Sequence, residues 1–508
     1  MRCALDKKKG ILNVAVSILF KIILLAGSII IRRLLIERLG NGINGINSLY
    51  ISIIGLLSVA ELGVGGAITY CMYKPIVEGN KERIAALFNY FKRAYFIIGI
   101  VIFSLGVLIM PALPFLAEGH NIYTSELYSS YIILLISVAA SYMFGAKLSL
   151  INAHKNNYIT TTLLSLGMIG QYILQALVLI FTPSFDGYLL CAFVSLAIQW
   201  VGTELITRIL YGDIIVNKKI RLSSEERREV KRNSSAMLMH KIGGTMVNTL
   251  DSIIISAFLG VELLGRYSNY SSIVTNATAV LSLLFTPLIS IIGHTFIADR
   301  KRVIVRYRQL YFLNYVIGVF FYLGFYAVAD SLIELLFGEG LRLARPVVFV
   351  MTVNYFIQFM RQTTLVFRDA TGIFYKDRWK PLLEGSVNAI LSILMVIIFK
   401  HAFGDEVASA GVIFATVITN LAVCHIIEPY VLFKYAFDIT PRSHYFKSYI
   451  GIGIFTVALI YMDRFLYSGG AAFTRFLING AISICFSVLV IAAIFVPKLI
   501  YLMKKKAA

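Results

Sequence analysis

Long apolar runs separated by short polar segments make up the chain from end to end. Each run has about 20 residues, enough for a helix to cross the roughly 30 Å hydrocarbon core of a bilayer. No polar stretch between the runs is long enough for a separate soluble domain. The pattern predicts an all-α integral membrane protein with about 14 transmembrane helices. The predicted spans are residues 11–38, 44–72, 94–114, 130–151, 159–181, 188–210, 236–258, 267–295, 309–332, 346–367, 381–401, 410–432, 448–466 and 475–498.

The chain also repeats itself once, at a separation of 220 residues. The motif L-G-x4-G-x2-S-x-Y-x-S-I begins at Leu39 and again, without a gap, at Leu259. Six spans separate the copies, so both halves are expected to insert in the same orientation, related by a pseudo-twofold axis along the membrane normal. This organisation is typical of transporters, whose substrate sites lie between the repeats. The predicted divisions are an N-terminal six-helix lobe (1–211), a basic cytoplasmic linker (212–235), a C-terminal six-helix lobe (236–432), and two appended transmembrane helices with a basic tail (433–508).

Glycines in the repeated motif are expected to shape the connection between the first and second helices of each half. They suit either a tight turn with positive φ or close helix packing. The two pairs are Gly40/Gly45 and Gly260/Gly265. Farther along, Gly63 to Gly66 in the first half and Pro287 in the second weaken the second helix at matching depth. Bends for rocking motion and ordinary kinked packing are both compatible with this pattern.

The charge of the chain is organised by topology. Lys and Arg number 47 against 27 Asp and Glu, a net charge of +20. About 35 of the 47 cations fall in the termini and in loops on the terminal side, which predicts cytoplasmic termini and argues against a nucleic-acid partner. The first apolar run follows Lys7 to Lys9 without an A-x-A site and is expected to be a retained helix. Ser223 to Glu226 form a predicted capping box, followed by either a basic helix on anionic membrane lipid or a solvated linker.

Ionisable residues inside apolar spans are costly and are therefore functional candidates. Lys21 and Arg32 are eleven residues apart, about three turns, so they share one face of the first helix. Several fixed cations favour an anionic substrate such as phosphate or pyrophosphate, which Arg binds bidentately and Lys as a point charge. The candidate substrate-binding cations are Lys21, Arg32, Arg33, Lys241 and Arg361.

Further intramembrane polar residues complete the candidate site. Glu61 and Asp251 are candidates for ion coupling or for charge pairing with the cations. The polar cavity candidates are Asn248, Asn269 and Asn388. Other interpretations stay open: cations near span ends can snorkel to the interface, the carboxylates can be structural partners, and Glu384 lies close enough to the interface to be solvated.

The sequence contains no pattern that predicts catalysis or a cofactor. His and Cys are scattered without metal-ligand spacing, and G-x4-G-K-[ST] does not occur. We therefore expect no metal, no cofactor and no enzyme activity.

Five segments give the chain a family resemblance. They are R-L-G-N-G-I-N-G-I-N-S-L-Y (38–50), A-E-L-G-V-G-G-A-I-T-Y (60–70), Y-K-P-I-V-E-G-N-K-E-R-I (73–84), H-K-I-G-G-T-M-V-N-T-L-D-S-I-I-I-S (240–256) and R-D-A-T-G-I-F-Y-K-D-R-W-K-P-L-L-E-G-S-V-N (368–388). Together with the predicted helix plan, they resemble the polysaccharide flippases of the multidrug/oligosaccharidyl-lipid/polysaccharide exporter superfamily.

The resemblance implies a function that composition does not show. Members of that family move undecaprenyl-pyrophosphate-linked oligosaccharides from the inner to the outer leaflet of the bacterial cytoplasmic membrane, through a central cationic cavity. In related lipid II flippases, arginines line the first helix of the cavity. Arg32 or Arg33 lies in a similar region, and Lys21 falls roughly where another of those cations would be. A polysaccharide polymerase and a chain-length regulator are the implied protein partners. The alternatives are a cation-coupled multidrug exporter and a non-transporting partner of a polymerase.

Overall fold

The computed structural model describes residues 2–58, 64–119, 123–216, 222–224, 249–282, 284–285, 288–373 and 376–507. Within these ranges every regular element is a helix. Large apolar side chains are exposed along the helices, with Leu108 at 75% and Ile390 at 62% exposure. A water-soluble protein rarely exposes contiguous apolar surface on this scale, whereas lipid-facing helices do. The predicted all-α membrane fold is confirmed.

The first compact unit spans Met1–Gly265. Its helices, in chain order, are α1 (Arg2–Leu39), α2 (Asn41–Leu57), α3 (Val64–Glu78), α4 (Lys81–Ile109), α5 (Leu113–Leu116), α6 (Thr124–Ser141), α7 (Gly145–Ala153), α8 (Asn157–Phe181), α9 (Phe185–Leu190), α10 (Ala192–Val216) and α11 (Thr249–Leu259).

The second compact unit spans Arg266–Ala508. It contains most of α12 (Val261–Ser282), then α13 (Leu288–Ala298), α14 (Arg300–Phe337), α15 (Arg345–Thr371), α16 (Lys380–Phe403), α17 (Asp405–Thr419), α18 (His425–Val431), α19 (Arg442–Asp463) and α20 (Ala472–Ala507). Two π-helical segments, Asn420–Cys424 and Leu432–Phe437, flank α18 and make Asp405–Phe437 one long, irregular span.

Nine helices among the described residues are long and apolar enough to cross a membrane. They are Lys81–Leu116, Thr124–Ala153, Asn157–Phe181, Phe185–Ile215, Arg300–Phe337, Lys380–Phe403, Asp405–Phe437, Arg442–Asp463 and Ala472–Ile494. The protein is therefore a multi-pass membrane protein. The count of fourteen stays a prediction, because residues 225–248, which include most of the predicted span 236–258, lie outside the described residues.

Glycines with positive φ separate the first two helices in each copy of the repeat. Gly40, between α1 and α2, has φ 90°, and Gly260, between α11 and α12, has φ 86°. L-residues with a Cβ rarely adopt this conformation. The predicted positive-φ turn is therefore confirmed for the first glycine of each pair.

The second glycine of each pair serves close packing. A Cβ built on Gly45 would lie 1.9 Å from the carbonyl oxygen of Val261, and one on Gly265 would lie 2.5 Å from that of Asn41. The Asn41 side chain also donates to the carbonyl oxygen of Glu262 over 2.9 Å. The two copies of the motif thus contact each other directly, and only glycine permits that approach.

The second helix of each half is divided into two elements. In the first half α2 ends at Leu57 and α3 begins at Val64; in the second, a turn at Leu284 and Phe285 lies between α12 and α13. Gly63 and Pro287, which were predicted to cause bends, lie outside the described residues. That the breaks between α2 and α3 and between α12 and α13 are matching bends of the repeat therefore stays a prediction.

The start of the predicted second lobe packs within the first unit. The Ser256 hydroxyl of α11 donates to the Leu116 carbonyl over 2.6 Å, and Gly55 of α2 lies against Thr249. The compact unit consequently ends at Gly265. The lobe and linker boundaries derived from the repeat stay predictions, since the linker and the capping-box glutamates are largely outside the described residues.

Candidate functional site

Helix α1 carries a polar face in the first unit. The helix is continuous from Arg2 to Leu39, so Lys21 and Arg32, eleven residues apart, share a face as predicted. Ser28 lies on the same face, and its hydroxyl donates to the Leu25 carbonyl over 2.8 Å. Both cations are half-buried.

Lys21 lacks a compensating partner among the residues that the structure describes. No described residue forms an ion pair or hydrogen bond with its ammonium group. An unpaired cation within a predicted apolar span is costly, which favours recruitment of an anion or of water to that face. This property distinguishes Lys21 from the other candidate cations that the structure describes.

Arg32 and Arg33 occupy different environments although they are adjacent. Arg33 is about half exposed and binds Glu37 through a 2.7 Å ion pair one turn away. Arg32 follows Ile31, a member of the apolar cluster that also contains Leu35 and Tyr188. Sequence spacing alone left a choice between the two arginines, and in the structure Arg32, which shares a helix face with Lys21, is the more buried of the two.

Asp251 lies in α11 and is buried, with 5% of its surface exposed. Three other candidates in this part of the chain, Glu61, Lys241 and Asn248, lie outside the described residues. The structure therefore does not test the roles predicted for these three residues.

A buried ion-pair network surrounds Arg361 in the second unit. Glu428 binds Arg361 bidentately, with its two carboxylate oxygens 2.6 Å from Nη2 and 3.1 Å from Nε. Glu384 accepts from Arg361 Nη1 over 3.1 Å. Lys380 donates to Glu384 over 2.6 Å and to Glu428 over 2.5 Å.

The network is electrically neutral and buried. Two cations, Arg361 and Lys380, face two carboxylates, Glu384 and Glu428, and none of the four side chains exceeds 14% exposure. Burial of so many charges is tolerable only when they compensate one another. The interpretation of Glu384 as a solvated interfacial residue is wrong, because its side chain is 7% exposed and paired with two cations.

The Arg361 network touches an irregular part of the helix. Arg361 Nη1 also donates to the Asn420 side chain over 2.5 Å, at the start of the Asn420–Cys424 π segment. Pro429 follows Glu428 and cannot donate a backbone hydrogen bond, which favours irregular helix geometry. Single-turn π segments recur at functional sites.

The two asparagine candidates of the second unit are fully buried. The Asn388 amide donates to the Thr416 hydroxyl over 2.8 Å, and no described group pairs with its carbonyl oxygen. Asn269 is 0% exposed in α12. Their predicted cavity role is not decided by these contacts.

The sequence analysis missed several acidic residues inside its predicted spans, among them Glu428 and Glu204. Glu428 lies inside the predicted span 410–432, and Glu204, which pairs with Lys147 and Arg208, lies inside 188–210. The rule that selected Arg361, an ionisable group within an apolar run, applies equally to both. Lys380 precedes its predicted span by one residue and gave no such signal.

One sequence family and several solved structures are similar to this chain. The sequence model of the family described as "polysaccharide biosynthesis protein" matches residues 89–342, half of the chain. No curated protein matches the sequence.

Solved structures share the fold at low sequence identity. The lipid II flippase MurJ, in an inward closed conformation, superposes with a TM-score of 0.65 at 15% identity, covering 96% of this chain and 100% of that one. An inward-facing multidrug resistance MATE family transporter of the MOP superfamily gives 0.60 at 12% identity, covering 88% and 98%. A MOP superfamily transporter from Pyrococcus furiosus, described as having a binding pocket of reversed polarity, gives 0.52 at 14% identity, covering 87% and 94%.

Proposed function

The chain belongs to the polysaccharide biosynthesis protein family, and we propose that it is a flippase for lipid-linked oligosaccharides. The proposed substrate is an undecaprenyl-pyrophosphate-linked oligosaccharide repeat unit, moved from the inner to the outer leaflet of the bacterial cytoplasmic membrane for surface or capsular polysaccharide. The shared fold with a lipid II flippase supports this proposal. Both termini are cytoplasmic in the proposed topology, as the distribution of Lys and Arg predicts.

The observation that carries the proposal is the Lys21 cation on α1. Lys21 is half-buried on a helix whose neighbouring positions are apolar, and no described residue neutralises it. A pyrophosphate provides the missing negative charge, and Arg32 on the same face adds a planar group suited to phosphate oxygens. Small cationic drugs have the wrong charge for this face, which disfavours the multidrug alternative.

Two other candidate cations, Arg33 and Arg361, are already engaged in ion pairs. Arg33 already holds Glu37, and Arg361 already holds two carboxylates, so neither is free to bind pyrophosphate without losing an ion pair. We assign the head group to Lys21 and Arg32, with Arg33 as a peripheral contact. Movement of the head group follows from alternating access and requires no covalent chemistry.

Translocation in proteoliposomes tests the proposal. Purified protein is reconstituted with an undecaprenyl-pyrophosphate oligosaccharide, and a membrane-impermeant glycan-oxidising reagent reports the leaflet. We expect protein-dependent exchange that falls at least tenfold in Lys21→Gln and in Arg32→Gln. The matched control is Lys400→Gln, which removes an exposed cation paired with Asp405, and it is expected to retain exchange.

Two outcomes would overturn the proposal. Wild-type exchange retained in a Lys21→Gln/Arg32→Gln double variant would remove the site assignment. Protein-dependent efflux of cationic dyes, without glycan exchange, would replace the flippase by a multidrug exporter. A pull-down of a co-expressed polysaccharide polymerase and chain-length regulator tests the proposed partners separately.

A further inference from the structure

A polar cavity lies in the second unit. It has a volume of about 250 Å³ and is lined by the end of α14, the start of α15, the end of α19 and the start of α20. Arg345 at this cavity and Arg361 of the buried network are sixteen residues apart on α15, roughly 24 Å along the helix. By the predicted topology, the cavity opens on the outer side of the membrane.

Fixed ion pairs form one wall of the cavity. Arg345 donates from Nη1 to Asp330 over 2.8 Å and from Nε to Asp463 over 2.9 Å. Its guanidinium lies 4.2 Å from the ring centroid of Tyr326, whose hydroxyl donates to Asp463 over 2.7 Å. Tyr270, the tyrosine of the repeated motif, donates to Asp330 over 2.7 Å. These contacts hold the polar atoms in defined positions.

A second group of ion pairs includes two further lining residues, Arg342 and Arg475. Glu334 pairs with both Arg342 and Arg475, and Arg475 also donates to the Gly470 carbonyl over 2.6 Å. The Arg475 Nε is buried, and no described group accepts its hydrogen. The side chain of Asn479, also in the lining, accepts from the Tyr467 backbone N–H over 2.8 Å and donates to the Tyr467 carbonyl over 3.1 Å.

The cavity is rich in charge but carries no net charge. The three arginines of the lining are balanced by Asp330 and Asp463 of the lining and by Glu334, which is not a lining residue but pairs with Arg342 and Arg475. A purely structural cluster would be expected to close on itself, whereas this one leaves open space and an unused buried donor. A net-neutral wall of strong donors and acceptors suits a ligand that both donates and accepts, as adjacent hydroxyls do.

We propose that this cavity binds one neutral pyranose ring through adjacent hydroxyls. Its volume lies just below the roughly 300 Å³ at which pockets for larger ligands begin, which limits the ligand to a single ring. Charge balance disfavours pyrophosphate here, in contrast to the face of α1. The source of the sugar, an outer residue of the translocated glycan, rests on the proposed function.

Saturation-transfer NMR of the full-length protein in nanodiscs tests the site. The probes are the methyl pyranosides of glucose, galactose, N-acetylglucosamine and rhamnose. We expect transfer to at least one probe, lost in Asp463→Asn, which removes an acceptor, and in Ser468→Trp, which fills the cavity without changing an ion pair. Asp405→Asn, at another predicted outer loop, is the matched control and is expected to keep the signal.

The outcomes separate the cavity from the flippase proposal. Transfer to none of the four probes, or transfer unchanged in Ser468→Trp, would overturn the sugar site, and chromatography and thermal melting identify a variant that fails to fold. Sugar binding retained in a protein that moves no lipid-linked glycan would remove the proposed function but leave the cavity assignment. Glycan exchange without sugar binding would remove the cavity assignment but leave the proposed function.

Discussion

Replacement of Glu428 by Gln tests whether charge balance holds the second unit together. The side chain is 1% exposed and contacts Arg361 and Lys380 at distances between 2.5 and 3.1 Å. The network has two cations and two anions, so the substitution changes its net charge from zero to +1. Removal of one partner from a buried ion pair costs about 3–5 kcal/mol.

That cost is a large fraction of the stability of a domain, which is about 5–15 kcal/mol. Thermal and denaturant unfolding of the purified protein in detergent measures it. The matched control is Glu406→Gln, because Glu406 pairs with Arg266 over 3.4 Å but is 66% exposed. Exposed pairs contribute only about 0–1 kcal/mol, so the control is expected to unfold nearly as the wild type does.

A second substitution separates charge balance from lost contacts. Lys380→Met combined with Glu428→Gln leaves Arg361 facing Glu384, again with zero net charge. We expect the double variant to be more stable than the sum of the single effects predicts, by about 0.5–3 kcal/mol. The reasoning would be refuted if Glu428→Gln lowered the free energy of unfolding no more than the exposed control does. It would also be refuted if the effects of the two substitutions simply added in the double variant.

Two further predictions concern the repeated motif. Gly45→Ala brings a methyl group within 1.9 Å of the Val261 backbone oxygen, so we expect lower thermal stability than for Gly453→Ala, where nothing lies within 4 Å. Tyr270→Phe removes the hydrogen bond to the Asp330 carboxylate and is expected to cost about 1.5–3 kcal/mol in unfolding, since bonds to charged groups are the stronger ones.

One result for each pair of variants would contradict these predictions. Equal melting temperatures for the two glycine variants would mean that the motif copies do not meet as closely as described. For the tyrosine, Tyr355→Phe is the control, because its bond to Thr275 is exposed. Equal effects of the two Phe substitutions would mean that the bond to Asp330 is not strengthened by charge and burial.

Local patterns were sufficient for the fold class and for part of the candidate site. Apolar runs of bilayer length determine membrane-spanning helices, because backbone groups in lipid must be satisfied within the helix. The face shared by Lys21 and Arg32 follows from helix periodicity on an uninterrupted helix. Positive φ, found at Gly40 and Gly260, was one of the two roles that the motif predicted for its glycines, but the motif did not show which glycine would take which role.

Partnerships between distant residues required the tertiary structure. Glu428 is 67 residues from Arg361, and no spacing rule connects them. Arg32 and Arg33 are neighbours in sequence, yet only packing against α8 and α9 distinguishes the half-buried cation from the one paired with Glu37. Periodicity predicts on which face of a helix a residue lies, but not what lies opposite that face.

The sequence by itself determined a helical, multi-pass membrane protein with an internal repeat, because hydrophobic length and residue conformation are local properties. The tertiary structure alone decided which charges neutralise one another and which remain available. It paired Arg361 with two carboxylates, left Lys21 without a partner among the described residues, and enclosed a neutral polar cavity beside Arg345. The physical reason is that compensation of a charge in a low-dielectric interior depends on distances of a few ångströms between segments far apart in sequence.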